Sequence, residues 1–388
     1  MAEHTPDEPP RRGASDGAIY LVSTAGIPNF GDELIAERWV SYLAEVAPHR
    51  EVWLDVREPG TVSSLLKGIH PNLHVTNTAI RTVHDSLHVS QRTVKDLVQN
   101  LGSPRFDIGL LEMREASVLH LLGGGFVNAM WRENSLLVEV MRAAAEVSGA
   151  PLIATGQGIM PPGPETFQGF DHVSVRDRPS ADHLGIELGY DDAYLVPACP
   201  SVPAESRETE AYVCLQGDLL NPGDLERFVE FATAQLREWD IPPERVTYVE
   251  ALPGEDYPGH AMLRDSIGEH RFIPFSAMWR EGIDWGPHQV WITTRFHHHL
   301  VASLHGARGV ALPGKAGYYD IKHSSLAALG TGWKISAGDL GDVRPLNELG
   351  SPHGLEAAVA GKNAEADEIY ASFREPSLSP RTDSGFPG

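Results

Sequence analysis

Cysteine is nearly absent from this chain: Cys199 and Cys214 are the only two in 388 residues. Two thiols make neither a disulfide framework nor a zinc quartet, so both are expected to be buried and inert. No apolar run approaches the roughly 18 residues of a membrane-crossing helix. Also missing is a G-x-G-x-x-G fingerprint with its acidic ribose clamp, which argues against an NAD site. No H-E-x-x-H or carboxylate triad accompanies His297-His298-His299, and neighbouring helical positions point in different directions. A metal is therefore not expected. Positive charge is scarce, with 31 Lys and Arg against 53 Asp and Glu, a net charge of -22. That balance argues against a general nucleic-acid or anionic-membrane surface and reads mostly as a solvated exterior. Residues 1–10 are acidic and proline-rich, without the apolar centre of a secretory signal, so a cytoplasmic protein is expected.

What is present is an alternation of short apolar runs with helical patterns, in a chain too long for one core. Ile19-Tyr20-Leu21-Val22, Val52-Trp53-Leu54, Val118-Leu119-His120-Leu121-Leu122, Leu152-Ile153-Ala154 and Val173-Ser174-Val175 read as strands. Helical patterns cover 32–43, 90–101 (with Ser90 as N-cap) and 135–147. A polar, proline-bearing linker over 197–210 follows, and the alternation restarts. Tyr212-Val213-Cys214-Leu215, Val246-Thr247-Tyr248-Val249, Val290-Trp291-Ile292 and Val310-Ala311-Leu312 are its strands, with helices over 222–239 and about 298–305. Continuous apolar strands separated by helices indicate mostly parallel, doubly covered sheets. The expected fold class is α/β: two Rossmann-like domains with a cleft between them. The expected divisions are a disordered tail over 1–16, an N-terminal domain over 17–200 and a C-terminal domain over 201–340. A helical segment over 341–375 that could pack back on the first domain, and a disordered tail over 376–388, complete the chain. No internal repeat is visible.

Ligands in open α/β sheets sit at the carboxyl ends of strands, so chemistry is sought there. Thr293-Thr294-Arg295-Phe296-His297 puts a planar cation suited to phosphate or carboxylate two residues from a titratable imidazole. Phe296 between them reads as acceptor wall or as core. Gly26-Ile27-Pro28-Asn29-Phe30-Gly31-Asp32-Glu33 links the first strand to the first helix. Asp32 and Glu33 there serve as dipole-favoured helix-start acids, or Asp32 orients a substrate hydroxyl or an active-site Arg. Gly123-Gly124-Gly125 and Gly156-Gln157-Gly158 lie at successive strand ends, as tight turns or as a ligand edge where backbone N–H groups face an anion. Ser174-Val175-Arg176-Asp177 ends another strand, with Arg176 as an anion clamp held by Asp177, or as half of a surface pair. Lys315 and Lys322 are candidates for a further cation, or are solvated surface lysines.

Taken in this order, Asn29-Phe30-Gly31-Asp32-Glu33, the two glycine clusters, Ser174-Val175-Arg176-Asp177, Arg295-Phe296-His297 and Tyr319-Asp320-Ile321-Lys322 resemble the polysaccharide pyruvyl transferase family over about residues 17–330. The resemblance implies a fold like the B-type glycosyltransferases and transfer of the enolpyruvyl group of phosphoenolpyruvate onto a sugar of a cell-envelope glycan or its lipid-linked precursor. The product is a pyruvate ketal, and phosphate is released. It implies that Arg176 and Arg295 hold phosphoenolpyruvate, that His297 is the acid/base, and that a Lys near Lys322 assists. Asp32 joins His297 and Arg295 in the expected catalytic set. Asn29, Gly31, Gly124, Gly125, Gly156, Gln157, Lys315 and Lys322 join the two arginines in the expected binding set. No cofactor beyond phosphoenolpyruvate as co-substrate is implied, and a lipid-linked acceptor would put the work at the inner membrane face. The chain departs from the family pattern at Val196-Pro197-Ala198-Cys199-Pro200, where a family Asp is replaced, and in a longer stretch from His297 to Lys322, which leaves Lys315 open for the Lys role. Two rivals remain: a sugar-nucleotide glycosyltransferase of the same fold, and a non-catalytic glycan- or anion-binding relative.

Overall fold

The computed structural model describes residues 17–101, 107–163, 167–200, 207–315 and 317–374. Both expected tails and part of the expected linker lie outside these residues. Two six-stranded sheets form the frame. In the first, β1 (Ile19–Val22), β2 (Val52–Asp55), β3 (Leu73–Thr76), β4 (Val118–Leu121), β5 (Leu152–Gln157) and β6 (His172–Val175) lie in the order β3-β2-β1-β4-β5-β6. The second holds β7 (Glu210–Cys214), β8 (Val246–Val249), β9 (Arg271–Ile273), β10 (Gln289–Thr293), β11 (Arg308–Ala311) and β12 (Lys334–Ile335), in the order β12-β11-β10-β7-β8-β9. Every pairing is parallel. Counted from its own first strand, each sheet has the doubly wound order, whose crevice opens where the winding reverses. Those points are β1/β4 and β7/β10.

The central strands are the apolar runs of the sequence. All of β1, β4, β5, β8 and β10 is buried, as expected for strands covered by helices on both faces. Three strands went unseen in the sequence, β3, β9 and β12, and all three are sheet edges. Their residues are partly or fully exposed, apart from Ile273, so they carry no continuous apolar run. The helix expected over 90–101 is shorter, Val94–Gln99, and is capped by Thr93, whose side chain accepts from the Asp96 N–H, rather than by Ser90. Cys214 is buried, whereas Cys199 is only partly so.

Helix Phe30–Val46 of the first half packs on helix Phe296–Leu304 of the second. One hydrophobic cluster runs through both, from Ile35, Trp39 and Phe30 to Phe296, Leu300 and Trp291. The chain then returns to the first half through helix Glu356–Ile369. Fully buried Lys362 on that helix donates to Asp192 at 2.8 Å and to Glu365 at 2.5 Å. Asp192 also accepts from Trp39 Nε1, the Gly123 N–H and Thr155 Oγ1, each at 2.7 Å. Burial opposes the Lys362 charge, but Asp192 and Glu365 outweigh it and raise its pKa. Removing one member of a buried pair strands the other charge. Lys362→Ala should therefore lower the unfolding free energy by about 3–5 kcal/mol in urea titration. A loss under about 1 kcal/mol, the scale of an exposed pair, would mean the tie is not structural.

Candidate active site

The segments that follow the carboxyl ends of both sheets converge on one cavity of about 370 Å3. From the first half come Thr24, Ile27, Asn29, Phe30, Gly31 and Asp32 after β1, Arg57 after β2, Gly125, Phe126, Trp131 and Asn134 after β4, and Arg176 after β6. The second half adds Asp218 and Leu219 after β7, Ala251 and Leu252 after β8, Arg295, Phe296, His297 and His298 after β10, and Tyr318, Tyr319 and Lys322 after β11.

Two helix starts meet here. Asn29 is the N-cap of Phe30–Val46: its side chain accepts from the Gly31 N–H, and its amide donates to Asp32 Oδ2 at 3.0 Å. Arg295 occupies the N-cap position of Phe296–Leu304, and His297 is in that helix's first turn. A Cβ on Gly31 would lie 1.9 Å from His297 Nδ1, so only glycine allows this imidazole its position.

His297 is built into an ion cluster. Its Nε2 lies 3.4 Å from Asp191 Oδ1, an ion-pair distance without hydrogen-bond geometry. Arg176 donates to the other oxygen of Asp191 at 2.5 Å. Burial alone would raise the Asp191 pKa, but His297 and Arg176 overcome this and hold it well below the usual carboxylate range. Arg176 is itself buried; burial opposes its charge, and Asp191 reverses the balance and raises its pKa. Its guanidinium carbon lies 4.7 Å from the centre of the Phe296 ring, a cation–π contact. Phe296 is thus the arginine's support.

Arg295 is clamped from behind. Its Nε donates to Asp256 at 3.1 Å, and its second terminal nitrogen reaches both Asp256 and, at 2.7 Å, Asp218. Lys322 has a different setting, with its Nζ 3.5 Å from the centre of the Tyr318 ring. Burial, and then Arg176, depress its pKa well below the usual lysine value. The Tyr318 hydroxyl donates to the Gly125 carbonyl at 2.9 Å, joining the second half to the first across the cavity. Asp32 is pushed upward by burial, against the lowering pull of His297, Lys322, Arg176 and Arg57. His298 and His299, the other two of the triplet, are fully buried. His298 lies against Phe30 and Trp291, and burial lowers its pKa to about 3.

The structure thus brings together Asn29, Gly31, Asp32, Gly125, Arg176, Arg295, His297 and Lys322. It does not bring four other expected residues to the cavity. Lys315 is exposed and lies outside it, whereas Lys322, on helix Tyr319–Ala328, lines it. Gly156 packs on Asp192, where a Cβ would come within 2.5 Å of its carboxylate. Gln157 spends its amide on the carbonyls of Leu121, Leu122 and Thr155. Gly124 has φ +153, and its Cβ would strike Phe126. The glycines that border the charged cluster are their neighbours: a Cβ on Gly125 would sit 2.8 Å from Lys322 Nζ, and one on Gly158 would sit 2.9 Å from Arg176 Nε. Asp177 does not hold Arg176. It caps helix Arg178–Leu184 by accepting from the Ser180 N–H. Sequence reasoning missed Asp191 and Arg57. Asp191 precedes Val196-Pro197-Ala198-Cys199-Pro200, the stretch that lacks the expected acid, and its signal was the Asp191-Asp192 pair after a helix.

Two facing doubly wound sheets with their strand ends on a shared cavity define a two-domain α/β protein of the glycosyltransferase-B-like class. The chain matches the polysaccharide pyruvyl transferase family over residues 29–257. It belongs to that family. No curated protein matches it. Among solved structures, S. aureus MnaA with UDP aligns at a TM-score of 0.58 and 10% identity, covering 91% of this chain and 96% of that one. A UDP-GlcNAc 2-epimerase from Neisseria meningitidis bound to UDP-GlcNAc aligns at 0.55 and 9%, covering 92% of this chain and 100% of that one. At such identities the likeness is one of fold.

Glu33, behind the cavity loop, offers a pH test. It accepts from the Gly26 N–H at 2.7 Å, and burial pushes its carboxyl from the usual 4.5 up to about 7. A raised acid binds its proton more tightly when folded, so its stabilising share is full below pH 4.5 and fades as pH rises through 7. Glu33→Gln should remove that slope: between these pH values its urea-unfolding free energy should fall less than that of the wild type. Parallel profiles would show that Glu33 does not titrate in this window.

Proposed function

We propose that this protein transfers the enolpyruvyl group of phosphoenolpyruvate to a sugar, forming a pyruvate ketal and releasing phosphate. The observation that carries this reading is the Arg176–Asp191–His297 cluster inside a cavity also lined by Arg295 and Lys322. Phosphoenolpyruvate has two anionic ends, and guanidinium groups are apt partners for both. His297, as imidazolium with ionised Asp191 as its counter-charge, gives a proton to the methylene carbon of the donor. C2 then becomes oxocarbenium-like, and a sugar hydroxyl attacks it and loses its proton. The C2–O bond to phosphate breaks and phosphate leaves with the bonding pair, taking one hydroxyl proton; a second hydroxyl of the same sugar forms the other C–O bond and returns its proton to His297. Arg176 and Arg295 stabilise the charge that develops on the departing oxygen. Asp32, beside His297 and raised by burial, is suited to orient or accept the proton of an attacking hydroxyl.

Family membership supports action on a polysaccharide, and the acceptor is proposed to be a glycan or lipid-linked sugar of the cell envelope. A lipid-linked acceptor would bring the protein to the inner face of the membrane. Among the described residues no helix is long and apolar enough to cross one. The test is incubation with phosphoenolpyruvate and a panel of galactosides, mannosides and glucosides, read by mass and by phosphate release. A product heavier by one pyruvate less one water is expected. Turnover with UDP- or GDP-sugars and none with phosphoenolpyruvate would replace this reading with glycosyl transfer.

Within the reaction, His297→Ala should slow phosphate release by about 10²–10⁴-fold, the usual range for a positioned acid, in a chain that still folds by circular dichroism. Wild-type-like turnover would remove His297 from the chemistry. Gly31→Ala should reproduce much of the loss by displacing the imidazole, and full activity in that variant would show that the ring is free to move.

A further inference from the structure

The charges around the cavity are unequally matched. Arg176 is paired with Asp191, and Arg295 with Asp256 and Asp218. Arg57 is different: among the described residues its guanidinium forms no salt bridge, although Asp32 feels its charge, and its side-chain hydrogen-bond partner is the neutral Asn134, whose Oδ1 accepts from it at 3.2 Å. That amide is fixed in turn, because Asn134 Nδ2 donates to the Phe126 carbonyl at 2.9 Å. The backbone beneath Arg57 is equally constrained. Its N–H donates to the Ala25 carbonyl at 2.8 Å, and Gly26, at φ +112, packs so closely that a Cβ there would lie 2.4 Å from the Glu58 nitrogen. The loop that carries Arg57 is therefore locked to the loop that leads to Asn29 and the helix start at Gly31 and Asp32. A lone surface arginine has no such support.

We propose that Arg57 is a donor-binding residue, which takes the second anionic group of phosphoenolpyruvate, the one not held by Arg176, and that Asn134 aims it. This rests on the pyruvyl-transfer reading. Arg295, bonded through Nε and one terminal nitrogen to two carboxylates, keeps only its other terminal nitrogen free for the phosphate, whereas Arg57, with a single neutral hydrogen-bond partner, offers most of its five N–H donors. Arg57 therefore supplies binding that is equal in ground and transition state, and its loss raises KM more than it lowers kcat.

Phosphoenolpyruvate binding to the full chain, measured by calorimetry, tests this, with steady-state kinetics alongside. Arg57→Gln should weaken binding roughly 10–100-fold, the span of a hydrogen bond to a charged group. Arg57→Lys, which keeps the charge and loses the fork, should fall between wild type and Gln. Exposed Arg280→Gln should bind as the wild type does. If wild type binds and Arg57→Gln binds within twofold of it, this inference fails and the proposed function stands. If folded wild type binds no phosphoenolpyruvate, the proposed function fails and takes this inference with it. If Arg57→Gln unfolds, the Lys variant decides: weakened binding with a raised KM supports this inference, and binding and KM equal to wild type overturn it.

Discussion

One carboxylate, Asp191, stands between a guanidinium delivered by the first sheet and an imidazole delivered by the second. It accepts from Arg176 at 2.5 Å and faces His297 at 3.4 Å. A buried guanidinium without such a partner would be too costly to keep, so Arg176 can end β6 inside the protein only because Asp191 meets it there. The glycines around the cluster follow from the same constraint. Gly125 and Gly158 leave room for Arg176, and Gly31 leaves room for His297. Phe296 then lies flat beneath the arginine and edge-on to the histidine, at 4.7 and 4.9 Å.

Much of the frame was readable from the residues, because a strand covered on both faces must be apolar throughout. Ile19–Val22 and Val246–Val249 begin and end where the apolar runs do. Edge strands have no such obligation, and both residues of Lys334–Ile335 are exposed. Arg176, Arg295 and His297 follow buried runs closely and line the cavity, whereas the strand-end residues Gly124, Gly156 and Gln157 do not. What stayed hidden was partnership across the chain. Asp177 is adjacent to Arg176 and was the natural candidate to hold it, yet the true partner is 15 residues away. Lys315 and Lys322 were indistinguishable until a helix showed which one faces inward. Arg57 follows Val56 after β2, with nothing local to set it apart from other surface arginines.

The two halves share a strand order but no visible sequence repeat. Parallel sheets with right-handed crossovers fix the winding and leave the residues free. The cavity accordingly uses the halves unequally. Arg176 follows the last strand of the first sheet, whereas Arg295 follows the strand at the reversal of the second. The site is therefore asymmetric although the two sheets are wound alike.

The returning helix also bears on how the chain is made. Asp192 belongs to the half that leaves the ribosome first, but its partner Lys362 lies 170 residues later. At about 5–20 residues per second, Asp192 waits on the order of ten to thirty seconds for its counter-ion. The early half therefore gains the cation that matches this acid only once the residues around Lys362 have been made.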